Sequence, residues 1–86
     1  MFGLKPAYPN PFNPSVTLNY TLTDDGQASL KVFNLRGQFE ETLISTYALK
    51  GTYPVTWQPE NLSAGVYIIR LQSGNRTNLQ KVLFVK

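Results

Sequence analysis

Apolar and polar side chains alternate along much of this chain, and the alternation restricts it to β structure. Every second residue is apolar across residues 16–22 and again across residues 28–32. Successive side chains of a β-strand point to opposite faces, so this period is typical of a strand that buries one face. No window keeps the spacing of an amphipathic helix for more than one turn, and the sequence therefore predicts an all-β fold.

Turn residues divide the alternating runs into short strands. Strands are predicted at residues 16–22, 28–33, 39–44, 52–58, 66–72 and 77–85. The connections between them are a hairpin turn at Asp24-Asp25-Gly26, turns at Arg36-Gly37 and Lys50-Gly51, a loop over residues 59–65, and a hairpin turn at residues 73–76. Pro54 has no N–H for a central ladder, which places its strand at a sheet edge or near its own start. Frequent turns between short strands predict an antiparallel β-sandwich of about seven strands.

Prolines 6, 9, 11 and 14 make the beginning of the chain stiff and extended. Each ring fixes its own φ and biases the preceding residue away from a helix. We predict that residues 1–14 form a proline-rich lead-in or linker with a possible first strand, and that residues 15–86 form the sandwich. A chain of 86 residues has room for one core. The predicted core residues are Val16, Leu18, Tyr20, Leu22, Leu30, Val32, Trp57, Tyr67, Ile69, Leu71, Val82 and Phe84.

Composition removes most catalytic and metal chemistry. The chain has no histidine and no cysteine, so it lacks the residues of Cys/His zinc sites and of the usual nucleophile–base pairs. Its adjacent acids, Asp24-Asp25 and Glu40-Glu41, suit a turn and a strand, because neighbours on a strand face opposite ways. We therefore predict no catalytic, metal-binding or cofactor-binding residue and no enzyme activity.

Charge and hydropathy argue against two further classes. The net charge is +3, and the lysines and arginines are scattered along the chain, so nucleic-acid binding is not predicted. No apolar run approaches the roughly 20 residues of a membrane-spanning helix, so no transmembrane segment is predicted. An exposed row of aromatic rings would suggest a carbohydrate platform, but Tyr20, Trp57 and Tyr67 alternate in phase with the core.

The last six residues carry more apolar side chains than one buried face requires. Apolar residues fill positions 82–85 between two lysines, whereas a strand in a two-layer sandwich buries every second side chain. Leu83 and Val85 are the surplus pair. Either a loop or the lead-in covers them, or their face is reserved for a partner and Lys81 and Lys86 bracket it with positive charge. In a further alternative, the two lysines only protect a sheet edge.

The beginning of the final hairpin also has a signature. Gly65 tolerates backbone angles closed to other residues and sets where Val66 enters the sheet, and Tyr67 anchors the strand with a large ring. We place a candidate recognition surface on this hairpin, residues 65–86. Its candidate residues are Gly65, Tyr67, Lys81, Leu83, Val85 and Lys86.

Five segments stand in a recognisable order and at recognisable separations: Tyr8–Pro14, Leu30–Gly37, Gly51–Trp57, Gly65–Leu71 and Lys81–Lys86. Together they resemble the type A C-terminal sorting domain of the type IX secretion system. The glycine-and-tyrosine motif of that family corresponds to Gly65 and Tyr67, and its terminal lysine motif to Lys81 and Lys86. Asn34 stands where an aspartate is common.

The resemblance implies an Ig-like sandwich at the C-terminus of a larger exported protein from Bacteroidetes or related bacteria. It implies recognition by the outer-membrane translocon, an N-terminal cargo domain, and removal by a sortase-like peptidase that joins the cargo to surface lipopolysaccharide. Residues before Tyr8 would offer that peptidase extended chain. The expected location is secreted or at the cell surface, reached through the periplasm and the outer membrane.

An Ig-like adhesive or carbohydrate-binding module without a sorting role is the competing interpretation. A related flagellar hook-capping Ig-like domain shares part of the pattern, and a fold hosts many functions. A sorting domain ends its polypeptide, so a chain end directly after Lys86 favours the sorting signal. Because a sorting domain follows its cargo, Met1 is not expected to be the native start. The residues make no prediction about oligomeric state.

Overall fold

Seven β-strands form two antiparallel sheets, and a computed structural model describes all 86 residues. The strands are β1 (Gly3–Leu4), β2 (Val16–Leu22), β3 (Gly26–Asn34), β4 (Phe39–Ala48), β5 (Gly51–Trp57), β6 (Gly65–Ser73) and β7 (Arg76–Phe84). One sheet has the strand order β1-β2-β5, and the other has the order β4-β3-β6-β7. The fold is an all-β sandwich, which confirms the prediction from the alternation.

β2 and β3 show how the alternation produces two layers. Burial alternates strictly from Val16 to Leu22, and it alternates in the same way along the middle of β3. The two strands lie in different sheets, so the prediction of a hairpin at Asp24-Asp25-Gly26 is wrong. The chain crosses between sheets there because the two apolar faces cover each other across the core. The Asp25 carboxylate accepts a hydrogen bond of 2.7 Å from the Lys50 N–H, which ties this crossing to the one between β4 and β5.

Two predicted turns do join paired strands. The turn at Arg36-Gly37 links β3 to β4, and the turn after Ser73 links β6 to β7. β5 is an edge strand, as Pro54 predicts. β4 continues to Ala48, beyond its predicted end at Ile44. Its extra residues are mostly exposed at a sheet edge, so they have no apolar period that would mark them as a strand.

The core lies between the two sheets, and every predicted core residue is buried in it, which confirms that list. The core also contains Ala7, Phe12 and Ala28. The Phe12 ring centre lies 5.5 Å from that of Trp57 and 5.2 Å from that of Phe84. No polar or charged residue is buried. The proline-rich beginning of the chain therefore supplies an aromatic ring to the centre of the fold.

Residues 3–12, here called the strap, connect an edge of one sheet to an edge of the other. β1 pairs with β2. On the other side, Asn78 and Gln80 of β7 accept hydrogen bonds from the backbone N–H groups of Leu4 and Ala7, at 2.9 and 2.6 Å. The inward side of β7 thus has two parts: polar amides that bind the strap, and apolar residues that enter the core.

The proline-rich run itself makes only isolated bridges. These join Tyr8 to Thr17 and Phe12 to Phe84, because each ring removes an N–H that a continuous ladder would need. The first strand, β1, therefore lies ahead of the prolines. The peptide bonds before Pro9, Pro11 and Pro14 are cis.

Candidate recognition surface

Gly65 opens β6 with a backbone angle that glycine adopts far more readily than other residues. Its φ is +152°. An added Cβ at this position would meet nothing within 4 Å, so the backbone conformation and not a lack of space favours glycine. In the β6–β7 register Gly65 lies opposite Phe84, at the end of the sandwich where the chain terminates.

Tyr67 is buried and therefore supports the hairpin from inside. Its ring is in edge contact with Trp57, with 5.6 Å between the ring centres. Its hydroxyl donates a hydrogen bond of 2.5 Å to the Ser63 carbonyl oxygen, which attaches the loop before β6 to the core. In the folded domain this side chain is out of reach of a partner, so its part in any recognition surface is to position β6.

Burial raises the pKa of two tyrosines. Desolvation raises the pKa of Tyr67, and the nearby Glu40 raises it further. Desolvation likewise raises the pKa of Tyr20, with a second contribution from Tyr53. The folded state therefore favours the neutral phenols. Because an unfolded tyrosine ionises near pH 10, the stability that these groups contribute is present below about pH 10 and is lost as the pH rises through their folded-state pKa.

We accordingly expect the free energy of unfolding to decrease above about pH 10. Urea denaturation followed by circular dichroism at a series of alkaline pH values measures this decrease. In the double variant Tyr20→Phe/Tyr67→Phe the decrease should be smaller, because neither ring can ionise. An equally steep decrease in the double variant would contradict the assignment.

The outer face of the β4-β3-β6-β7 sheet, which points away from the core, carries two of the predicted residues. β7 alternates exposed and buried residues up to Phe84, and Lys81 and Leu83 belong to the exposed set. The register places Leu83 opposite Val66 and Lys81 opposite Ile68. The hairpin therefore presents a lysine and a leucine beside two further apolar residues of β6.

Val85 and Lys86 follow the end of β7. The Val85 N–H donates a hydrogen bond of 3.0 Å to the Phe12 carbonyl oxygen, which anchors the last residues to the strap. The Lys86 ammonium nitrogen lies 5.9 Å from the ring centre of Phe84. Lys81 therefore lies on the outer face of β7, whereas Lys86 lies beyond the end of that strand.

The strap covers the free backbone edge of β7 near the C-terminus. Asn10 uses its side-chain amide to donate to the Lys81 carbonyl and to accept from the Leu83 N–H. The Phe12 N–H donates to the Leu83 carbonyl at 2.9 Å. The side chains of Leu83 and Val85 nevertheless remain 36% and 39% exposed. The lead-in thus covers the backbone of this segment and leaves the surplus side chains in contact with solvent.

Sequence reasoning missed the rest of the outer face. Phe33 of β3 and Arg70 of β6 meet there, with the guanidinium carbon 4.6 Å from the ring centre. Ile68 and Leu79 are their neighbours on β6 and β7. A usable signal was present, because residues 66–69 are as continuously apolar as residues 82–85. The surplus rule that singles out Leu83 applies equally to Val66 and Ile68.

The adjacent acids bond to separate structural groups and do not share a site. The Asp24 carboxylate lies 3.9 Å from the Arg76 guanidinium, measured from oxygen to nitrogen. The Asp25 carboxylate accepts a hydrogen bond from the Lys50 N–H. Glu40 accepts one from Asn34 Nδ2, and Glu41 accepts one from Trp57 Nε1. The structure contains no group of three or more side chains that could hold a metal ion. These carboxylates stabilise turns and, in the case of Glu41, pair with the indole N–H of a core residue.

Asn34 organises the turn between β3 and β4. Its Oδ1 accepts hydrogen bonds from the backbone N–H groups of Arg36 and Gln38. Its Nδ2 donates to the side chains of Gln38 and Glu40. An aspartate at this position would accept the first pair of bonds but has no N–H for the second, so asparagine suits this turn.

Comparison with known protein families identifies the family of this chain. The family model described as the secretion system C-terminal sorting domain matches residues 6–86, a range that includes the proline-rich run and the whole final hairpin. A search of curated proteins and a search of solved structures each found no match. The structure has no helix long and apolar enough to cross a membrane. The chain belongs to the family of C-terminal sorting domains of type IX secretion.

Proposed function

We propose that this domain directs a cargo protein, joined ahead of it, through the outer-membrane type IX translocon, and that the translocon reads the final hairpin. Membership of the family indicates a sorting signal and export to the cell surface or beyond. The observation that carries the finer proposal is that Lys81, Leu83, Val85 and Lys86 of this hairpin are exposed to solvent. The domain itself is non-catalytic in this proposal.

The two ends of the sandwich suit a cargo on one side and a receptor on the other. The Phe2 ring lies beside the turn that joins β6 to β7, where its centre is 5.9 Å from the guanidinium carbon of Arg76. Gly65 and Phe84 lie at the far end of the same hairpin, and the domain is 37 Å long. A cargo joined through Met1 would leave the C-terminal end of the hairpin free for a partner.

The exposed residues suit a partner groove that is apolar in its middle and acidic at its ends. Leu83 and Val85 offer the apolar part, and Lys81 and Lys86 lie on either side of them. Opposite charges at the rim of such an interface steer association and fix the register of the two surfaces. The strap strengthens this interpretation, because it holds the backbone of the segment in one conformation and lowers the entropy lost on binding.

In the same proposal a sortase-like peptidase removes the domain after export, and it cuts ahead of Gly3. Peptidases bind extended and unpaired chain. The strap is paired from its beginning, since Lys5 and Tyr8 donate backbone hydrogen bonds to Asn19 and Thr17 of β2. The accessible chain therefore precedes the strap and does not extend to Tyr8.

A reporter fused ahead of residue 1 in a bacterium that has type IX secretion tests the lysines. We expect the double variant Lys81→Glu/Lys86→Glu to lower export about tenfold or more, because charge reversal replaces attraction with repulsion at both ends of the groove. Lys50→Glu, in the connection between β4 and β5, is the matched control and should export as the unaltered fusion does. Circular dichroism on each purified variant confirms folding.

Export of the folded double variant at the unaltered rate would show that the translocon does not read the lysines, and they would then be protection for a sheet edge. Retention of the unaltered fusion inside the cell would contradict the sorting function itself. An adhesive or carbohydrate-binding role gains no support from Tyr20, Trp57 and Tyr67, since all three side chains are buried.

A further inference from the structure

Arg70 occupies the middle of the outer face, between residues of two neighbouring strands. It lies opposite Lys31 of β3 and opposite Leu79 of β7. Its guanidinium carbon is 4.6 Å from the ring centre of Phe33. A guanidinium stacked on an aromatic ring keeps its donors in the plane of the group, where they suit a carboxylate.

The Nε atom of Arg70 is shielded from solvent and has no hydrogen-bond partner. A shielded donor without an acceptor is costly, and buried donors are paired in most proteins. No acceptor of this chain pairs with Arg70 Nε, so a bound ligand with an acceptor group would satisfy this donor. A carboxylate is the group that pairs best with the Nε edge, because it accepts two parallel hydrogen bonds from an arginine.

A shallow apolar hollow adjoins the guanidinium. The apolar residues Phe33, Leu35, Ile68 and Leu79 line it together with Asn34, Gly37 and Arg70. Leu35 and Leu79 are 65% and 60% exposed. Exposed side chains change rotamer within nanoseconds, so these two leucines can adapt to the shape of a ligand in the hollow. The hollow then offers apolar contact directly beside the charged group.

The surroundings of the hollow are positively charged. Lys31 lies on β3 opposite Arg70, and Lys81 lies on β7 next to Leu79 on the outer face. The acidic residues with partners in this chain are at turns or face the core margin. A ligand for this surface should therefore combine negative charge with apolar side chains.

We propose that this hollow is a second contact with the translocon, and that it receives a segment of a translocon protein in which an acidic residue adjoins an aliphatic one. The carboxylate pairs with Arg70, and the aliphatic side chain fills the space between Phe33 and Leu79. This inference rests on the proposed sorting function. It extends the contact from the C-terminal residues to the whole outer face of the final hairpin.

The reporter fusion also tests this contact. We expect Arg70→Gln to lower export about tenfold or more, because the carboxylate would then lie beside an uncharged group. Arg76→Gln is the matched control, since it removes an arginine from the opposite end of the same hairpin and should leave export unchanged. Leu79→Glu is a second variant at an exposed position, where folding is expected to persist. It should block export through repulsion of the partner's carboxylate.

Each outcome separates the inference from the function on which it rests. Suppose that the unaltered fusion is exported and that the folded variants Arg70→Gln and Leu79→Glu are exported at the same rate. The hollow is then not a contact with the translocon, and only this inference fails. An equal decrease in Arg76→Gln would show a general effect of charge and would overturn it too. Retention of the unaltered fusion would overturn the sorting function and this inference together.

A lipid surface is the remaining source of negative charge. Sedimentation of the purified chain with phosphatidylglycerol vesicles distinguishes it from a protein segment. We expect no more binding by the unaltered chain than by Arg70→Gln. Vesicle binding that depends on Arg70 would assign the hollow to lipid headgroups and would overturn the proposal of a protein partner.

Discussion

Replacement of Trp57 by alanine is expected to lower the free energy of unfolding by about 3–5 kcal/mol. The ring is almost wholly buried and contacts the rings of Phe12 and Tyr67. Its Nε1–H also donates a hydrogen bond of 2.9 Å to Glu41, which would lose its partner. Domains have total stabilities of about 5–15 kcal/mol, and small ones lie toward the lower end. The variant should therefore be largely unfolded or close to it.

Urea denaturation followed by far-UV circular dichroism measures this effect. Trp57→Phe should retain much of the lost stability, because a ring still fills most of the cavity. Tyr47→Ala removes an exposed aromatic residue from β4 and should change stability by less than about 0.5 kcal/mol. A Trp57→Ala chain with an unfolding midpoint like that of Tyr47→Ala would contradict the packing described above.

Phe12→Ala is expected to be nearly as damaging, at about 3–5 kcal/mol, although the residue lies in the proline-rich segment. Its ring is 1% exposed. It is stacked on Phe84, with ring centres 5.2 Å apart, and it contacts Trp57 at 5.5 Å. Loss of the ring opens a cavity where the strap meets both sheets. The strap would then lose the side chain that anchors it in the core, next to the edge of β7 that it covers.

Tyr8→Ala is the matched control, because it removes an exposed aromatic side chain from the same segment. Both variants keep every backbone donor of the strap, so a difference between them reports the buried ring alone. Chemical denaturation of the two chains under identical conditions makes the comparison. Equal unfolding midpoints would mean that the proline-rich segment is an accessory to the fold and not part of its core.

The strands and the core composition could be predicted from local pattern. Alternation over residues 16–22 assigns each side chain to a face without knowledge of the partner strand, because the side-chain period of a strand is two. The same rule separates Leu83 from the core residues Val82 and Phe84, and the Leu83 side chain is 36% exposed. Its conformational freedom predicts that Gly65 sets where Val66 enters the sheet. The structure includes Gly65 itself in β6, one residue ahead of the predicted strand start.

The arrangement of the two sheets could not be predicted in this way. A tight turn such as Asp24-Asp25-Gly26 either returns a strand beside its predecessor or carries it across to the opposite sheet. The choice depends on which apolar faces meet, and the hydrogen bond from the distant Lys50 N–H to Asp25 then helps to hold the crossing. These contacts join residues far apart in the sequence, so no local window contains them.

Phe12 and Arg70 show the same limit for the core and for the surface. Residues around Phe12 have no alternation, since prolines interrupt it, and its burial follows from distant partners, Trp57 and Phe84. The contact of Arg70 with Phe33 follows from the β3–β6 register. Local sequence determines which face of a strand a side chain occupies. Only the pairing of distant strands decides which side chains become neighbours, because those contacts form when the sheets pack.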